Sequence, residues 1–190
     1  MIKATLPALL ILASGTVLAE PETYQIDPRH TFPSFEADHN AGLSIWRGKI
    51  NESSGTIMLD RAGQTGTVEV TMEMDSIDFG LEDMNEKARS AELFDVATYP
   101  TATYKGKLIE FKGDAPTAIE GELTMHGVTK PVRLTINSFL CKEHRMTKKL
   151  VCGADASGTL DRAEFGVNHG QQFGYFMETK LLISIEAVKQ

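Results

Sequence analysis

Apolar and polar residues alternate with a period of two over most of the chain beyond residue 20. Residues 67–74 read TVEVTMEM, so Val68, Val70, Met72 and Met74 share one face while Thr67, Glu69, Thr71 and Glu73 share the other. Successive side chains of an extended backbone point to opposite sides, so such a run predicts a strand with one dry and one wet face. Ile119, Gly121, Leu123 and Met125 alternate in the same way with Glu120, Glu122 and Thr124, and Val132, Leu134 and Ile136 with Arg133 and Thr135. Near the end, Tyr175, Met177, Leu181, Ile183 and Ile185 stand against Glu178, Lys180, Ser184 and Glu186, with Phe176, Thr179 and Leu182 out of phase.

Turn residues punctuate these runs. His126-Gly127 predicts a two-residue hairpin, because glycine takes positive φ freely and histidine tolerates it better than most. Residues 51–55 (NESSG), 61–66 (RAGQTG) and 113–116 (GDAP) separate further runs. Strands following one another through short turns, without a strand–helix–strand rhythm, predict an all-β antiparallel meander, either sandwich or barrel. One segment has another period. In residues 81–91, Leu81, Met84, Ala88 and Ala91 fall on one helical face, with Glu82, Asp83 and Glu86 early and Lys87 and Arg89 late. That order of charges complements the helix dipole and predicts a short helix between strands.

Length and composition narrow the class. The 190 residues suit one domain; 42% hydrophobic and 24% charged residues are too apolar a mixture for a disordered chain. A net charge of −7 argues against a nucleic-acid partner, which needs a basic footprint. No apolar run is long enough to span a membrane as a helix. Residues 1–19, MIKATLPALLILASGTVLA, combine Lys3, a short apolar stretch and a small-residue cleavage site, and are read as a secretory signal peptide preceding a domain over 20–190. Two cysteines, Cys141 and Cys152, lie in the exported part. An even count there predicts a disulfide, with two unpaired buried thiols as the alternative. The strands at 128–139 and 150–160 would then be neighbours, and the bond would staple the loop joining them. That loop, residues 142–149, is the one basic stretch of an acidic chain, and is read as a solvated loop with a docking surface as the alternative.

Catalytic signatures are missing. There is no G-x-S-x-G elbow, H-E-x-x-H pair, P-loop or dinucleotide glycine pattern, so no catalytic residue and no cofactor is assigned. The five histidines are scattered, without the spacing of a metal pair, and no metal site is assigned. Glu36, Asp38 and His39 are the best candidates for acid–base work, but they are read first as a polar strand face or barrel rim, with the acid–base role as the minor alternative. Trp46, the single tryptophan, fits a ligand site or a core.

Three stretches then stand out together: residues 24–31 (YQIDPRHT), 90–104 (SAELFDVATYPTATY) and 121–132 (GELTMHGVTKPV). In order and spacing, from about 24 to 188, the chain resembles the YceI family of bacterial exported lipid-binding proteins. The resemblance implies a lipocalin-like antiparallel barrel of about eight strands with a short helix beside its mouth. It implies a non-catalytic periplasmic carrier for a long isoprenoid lipid, either a polyprenyl phosphate or an isoprenoid quinone, or a similar amphiphile. Val68, Val70, Met72, Leu123, Leu134 and Ile136, chosen by alternation, are expected to line the tunnel; Phe35, Trp46, Phe79, Leu93 and Phe165 are placed there by resemblance and aromatic or apolar character. Leu93, Phe94, Tyr99 and Pro100 are expected to anchor the segment after the helix, with Phe94 buried. The alternatives are an exported enzyme on a barrel scaffold, a hydrolase or isomerase, and a filled barrel acting as an interaction or inhibitor protein. Transient membrane contact and a homodimer stay open.

Overall fold

Each alternating run has one face to hide, and the strands hide it by closing on one another. The computed structural model describes residues 21–190; the signal-peptide reading falls on 1–19, outside the described residues. The elements in chain order are β1 (Glu22–Ile26), β2 (Phe32–His39), β3 (Ser44–Ile50), β4 (Ser53–Asp60), β5 (Thr65–Glu73), β6 (Ile77–Asp78), α1 (Glu82–Arg89), β7 (Thr101–Lys112), β8 (Ala115–Met125), β9 (Val128–Glu143), β10 (Leu150–Asp161) and β11 (Glu178–Lys189). All pairings are antiparallel. β11 pairs with β10 on one edge and with both β1 and β2 on the other, which closes the sheet. β1 with β2, β3 with β4, and β5 with β6 are the two halves of bent strands: β4 lies between β1 and β5, and β3 between β2 and β6. Counted so, the molecule is a closed barrel of eight antiparallel strands in up-and-down order. An eight-stranded barrel has an interior that side chains fill or that holds one small ligand.

The wall is not hydrogen-bonded over its whole height. β5 pairs with β7 from Thr67 opposite Lys107 to Glu73 opposite Thr101, and beyond that point β6 pairs with β3 alone. α1 and the chain up to Pro100 fill the gap. The helix carries Glu82 and Asp83 in its first turn and Lys87 and Arg89 in its last, as the dipole favours. Ala88 is fully buried and Met84 half-buried, but Leu81 is 54% exposed and Ala91 is exposed as well. The predicted apolar stripe is therefore shorter than the sequence suggests, because both residues lie just outside the helix ends. A small core of Ile50, Met74, Ile77, Ala88 and Ala102 binds this plug to the barrel, separate from the main core between the sheet walls.

One end of the barrel carries the turn at 40–43, the plug, the His126-Gly127 hairpin and the long connection at 162–177. They touch: His126 Nδ1 lies 3.0 Å from the Phe165 carbonyl oxygen, and His169 lies 3.9 Å from Glu92. His126 and Gly127 have φ of 52° and 74°, the two positive values of the tight hairpin turn the sequence predicts. The opposite end carries the turns at 61–64, 113–114 and 144–149. Cys141 and Cys152 are disulfide-bonded, with their Cα atoms 4.0 Å apart. They do not staple a loop as expected. β9 continues to Glu143, so the two cysteines face each other inside the β9–β10 ladder and the turn beyond them is shorter than the sequence suggests.

Candidate functional site

A cavity of about 380 Å3 runs through the barrel, within the range of small-molecule sites. Its lower wall is built by the dry faces of the strands: Val68, Val70 and Met72 on β5, Leu123 on β8, Leu134 and Ile136 on β9, and Leu181, Ile183 and Ile185 on β11. Tyr24, Leu59 and Pro116 stand at the end remote from the helix; the Tyr24 hydroxyl donates to Glu22 Oε2 at 2.6 Å, so this polar tip turns away from the apolar space. Tyr104, on β7, also faces the cavity. The tip of its ring lies against Gly121, where a Cβ would come within 2.6 Å of it, and its hydroxyl donates to the Val132 carbonyl at 2.8 Å. Burial pushes its pKa up to about 12.

The upper chamber is aromatic. Phe79 meets Phe35 edge to face, with ring centroids 5.5 Å apart, and lies 6.1 Å from Trp46. His39 stacks on Trp46 at 4.6 Å and meets Tyr175 edge-on at 6.0 Å. Leu93, Phe94 and Met84 bring the plug into this wall. Phe94 is half-buried rather than buried, since one side of it faces the cavity, and Pro100 is exposed although its carbonyl accepts from the Met74 N–H at 2.9 Å.

The charged side chains and imidazoles on the lining gather at this end: Asp38, His39, Lys87, Arg162 and His169, with Tyr175 among them. Arg162 donates through Nη1 to the Val167 carbonyl at 2.7 Å and through Nη2 to the His169 carbonyl at 3.0 Å, which pins the 162–177 connection. Burial lowers its pKa, with Asp161 and Asp38 opposing the shift. Lys87 pairs with Glu92, which also approaches His169.

Ten of the eleven residues named as tunnel-lining lie on the cavity wall: Phe35, Trp46, Val68, Val70, Met72, Phe79, Leu93, Leu123, Leu134 and Ile136. Phe165 does not. It is 1% exposed, in a short 3-10 turn behind the wall, packed in the main core. The acid–base candidates do other work. Glu36 is off the cavity wall, accepting from Arg47 Nε at 2.9 Å. Asp38 accepts from the backbone N–H groups of Gly42 and Phe176, and His39 belongs to the aromatic collar. Among the described residues no three of His, Cys, Asp and Glu come together in a way that would hold a metal ion, and no helix is long and apolar enough to cross a membrane. Tyr104 and Leu108 follow the alternation of β7 and could have been read from it; Arg162 and His169 carry no such signal.

The sequence profile of the YceI-like domain matches residues 24–188. The protein YceI of Salmonella arizonae is 32% identical over 98% of this chain and 95% of its own length. Among solved structures, Burkholderia cenocepacia BcnA superposes with a TM-score of 0.68 at 19% identity, covering 85% of this chain and 98% of BcnA. A polyisoprenoid binding domain from Saccharophagus degradans, implicated in plant cell wall breakdown, superposes with a TM-score of 0.62 at 15% identity, covering 88% and 98%.

Proposed function

The chain belongs to the YceI-like domain family, and from that premise we propose that it is a non-catalytic periplasmic carrier that holds a long isoprenoid lipid inside its barrel. The observation that carries this reading is the cavity itself: a largely apolar passage between the sheet walls with its charged side chains and imidazoles collected at one end. A long apolar tail gains from burial along its whole length, about 25 cal/mol for each Å2 removed from water, whereas one polar head needs only a few placed groups. The tail lies along Val68, Val70, Met72, Leu123, Leu134 and Ile136, and the head among Arg162, Lys87 and His169. The polyisoprenoid-binding relative supports this ligand class. The leader-like residues 1–19 and the Cys141–Cys152 bond support an oxidising, exported location.

Two other readings have less support. A filled barrel would leave no cavity, and the acid–base candidates Glu36, Asp38 and His39 are engaged in ties and stacking. The test is to purify the protein from periplasm without detergent, extract it with solvent and identify the extract by mass spectrometry. An isoprenoid quinone or polyprenyl phosphate at near-stoichiometric yield supports the proposal. An extract free of amphiphile, together with no saturable isoprenoid binding by delipidated protein, refutes it.

A further inference from the structure

Four large apolar side chains stand in solvent at the polar end of the cavity: Leu43 is 73% exposed, Ile45 55%, Phe173 69% and Phe176 60%. They come from the β2–β3 hairpin, where Ile45 lies at the start of β3, and from the 162–177 connection, two segments far apart in sequence that are tied into one platform. Asp38 accepts from the Gly42 N–H at 2.6 Å with one oxygen and from the Phe176 N–H at 3.0 Å with the other. The Phe176 ring lies beside Gly42, and Gly174 lies beside Ala41. Directly beneath this platform are His39, Trp46 and Tyr175, whose rings line the cavity. The apolar surface is thus continuous from the exposed loop tips, through the collar, to the interior.

We infer that this rim docks on a lipid bilayer surface, so that the cavity mouth faces the membrane interface; the inference rests on the carrier reading above. The size of the patch favours this occupant. At about 200 Å2 for a side chain of Phe size, the four expose roughly 500 Å2. That is large for an unused patch on a monomer, yet below the about 800 Å2 per partner of a stable protein interface. A bilayer does not need a shaped counterpart; it gains from each apolar tip inserted. A lipid with a long tail also has to reach the cavity without crossing water, which a mouth seated on the interface allows. Charge does not hold the surface, because the chain is acidic overall and its basic turn, with Arg145, Lys148 and Lys149, lies at the opposite end of the barrel.

The test compares the parent protein with a Phe173→Ser, Phe176→Ser double variant; neither ring is on the cavity wall. Both proteins are floated with vesicles of phosphatidylcholine alone or mixed with phosphatidylglycerol, at low and high salt. Entry of geranylgeraniol added in ethanol is followed in parallel by the fluorescence of Trp46, the single tryptophan. The parent should float with phosphatidylcholine alone, with little salt dependence, and the variant should lose about tenfold or more of this partitioning while keeping the Trp46 response. A Leu43→Ser variant should lose a smaller part of the partitioning in the same direction. Equal flotation of parent and variant overturns the inference. So does a parent that floats only with phosphatidylglycerol and is released by salt, which assigns the basic turn instead. So does a parent that self-associates in solution and becomes monomeric in the double variant, which assigns a protein partner. Loss of the Trp46 response in the parent itself sinks the carrier reading rather than the docking surface.

Discussion

Replacing Val70 by tryptophan tests whether a ligand tail runs the length of the barrel. Val70 lies at mid-wall on β5, opposite Gly55 on β4 and Tyr104 on β7, and faces the cavity. An indole there projects into the passage and displaces the part of the tail that passes it. One isoprene unit has about five carbons; at ~0.8 kcal/mol per buried methylene-sized group, losing one unit costs about 3–4 kcal/mol. That corresponds to a few hundredfold in Kd. Folding should lose less. Overpacking a filled core costs roughly 1–3 kcal/mol, but here the added ring enters a cavity of about 380 Å3. A cost near or below the bottom of that range is expected. The measurements are calorimetric titration of the delipidated protein with geranylgeraniol, and the urea midpoint by circular dichroism. Glu69→Trp, one residue earlier on the outer face, should leave binding unchanged. A Val70→Trp protein with the parent's stability and a Kd within threefold of the parent's would refute the claim that the tail passes this point.

Free-thiol titration of the denatured, unreduced protein should find no thiol, and Cys141→Ser with Cys152→Ser should lower stability by up to about 3 kcal/mol for a separation of this size; two reactive thiols in the unreduced protein would contradict the strand-paired bond. Phe94→Ala should cost roughly 2 kcal/mol, less than the 3–5 kcal/mol of a fully buried ring, because one side of Phe94 already borders the cavity; an unchanged urea midpoint would show that the plug is not anchored there. Tyr104 keeps its proton in the folded barrel up to about pH 12, whereas an unfolded chain releases it near pH 10, so its contribution is fully present below pH 10 and is lost as the pH rises towards 12. The fall in urea midpoint across that window should be shallower in Tyr104→Phe, and an identical fall in both proteins would count against the assignment.

The strand faces were legible because a closed sheet with a dry interior imposes a period of two on every strand. Val68, Val70 and Met72, and Leu123, follow it without interruption, and so does the inward order of β11, in which Thr179 takes an interior place that its polarity disguised. Along β9 the rule holds at Val132, Leu134 and Ile136 and then changes phase. Ile136 faces Ala156 and Ser138 faces Asp155, so Asn137 is an extra residue. Such a bulge reverses the parity, and Phe139 and Cys141 pack against the core on the odd positions that follow. Alternation alone could not reveal this. Nor could it reveal that Phe165 lies behind the wall, because a buried aromatic in a loop has no period to report its direction. The polar mouth was the least legible part. His169 approaches Glu92, the partner of Lys87, only because the 162–177 connection folds over the plug, a contact between segments some 80 positions apart in the chain.

The gap between β6 and β7 gives the barrel a panel that differs in kind from the rest of its wall. Elsewhere, a change of girth would break ladder hydrogen bonds on both sides of a strand. From Phe79 to Pro100 the wall is held instead by side-chain packing on Ile50, Met74, Ile77 and Ala102, by the reach of the Asn85 side chain to the Phe79 N–H, and by the ion pair of Arg89 with the exposed Asp75. Such contacts can slide and reseat, whereas a ladder must break before it re-forms. The upper chamber is therefore the compliant part of a stiff vessel. Substitutions in this stretch can retune its width while the hoop of paired strands keeps the same circumference.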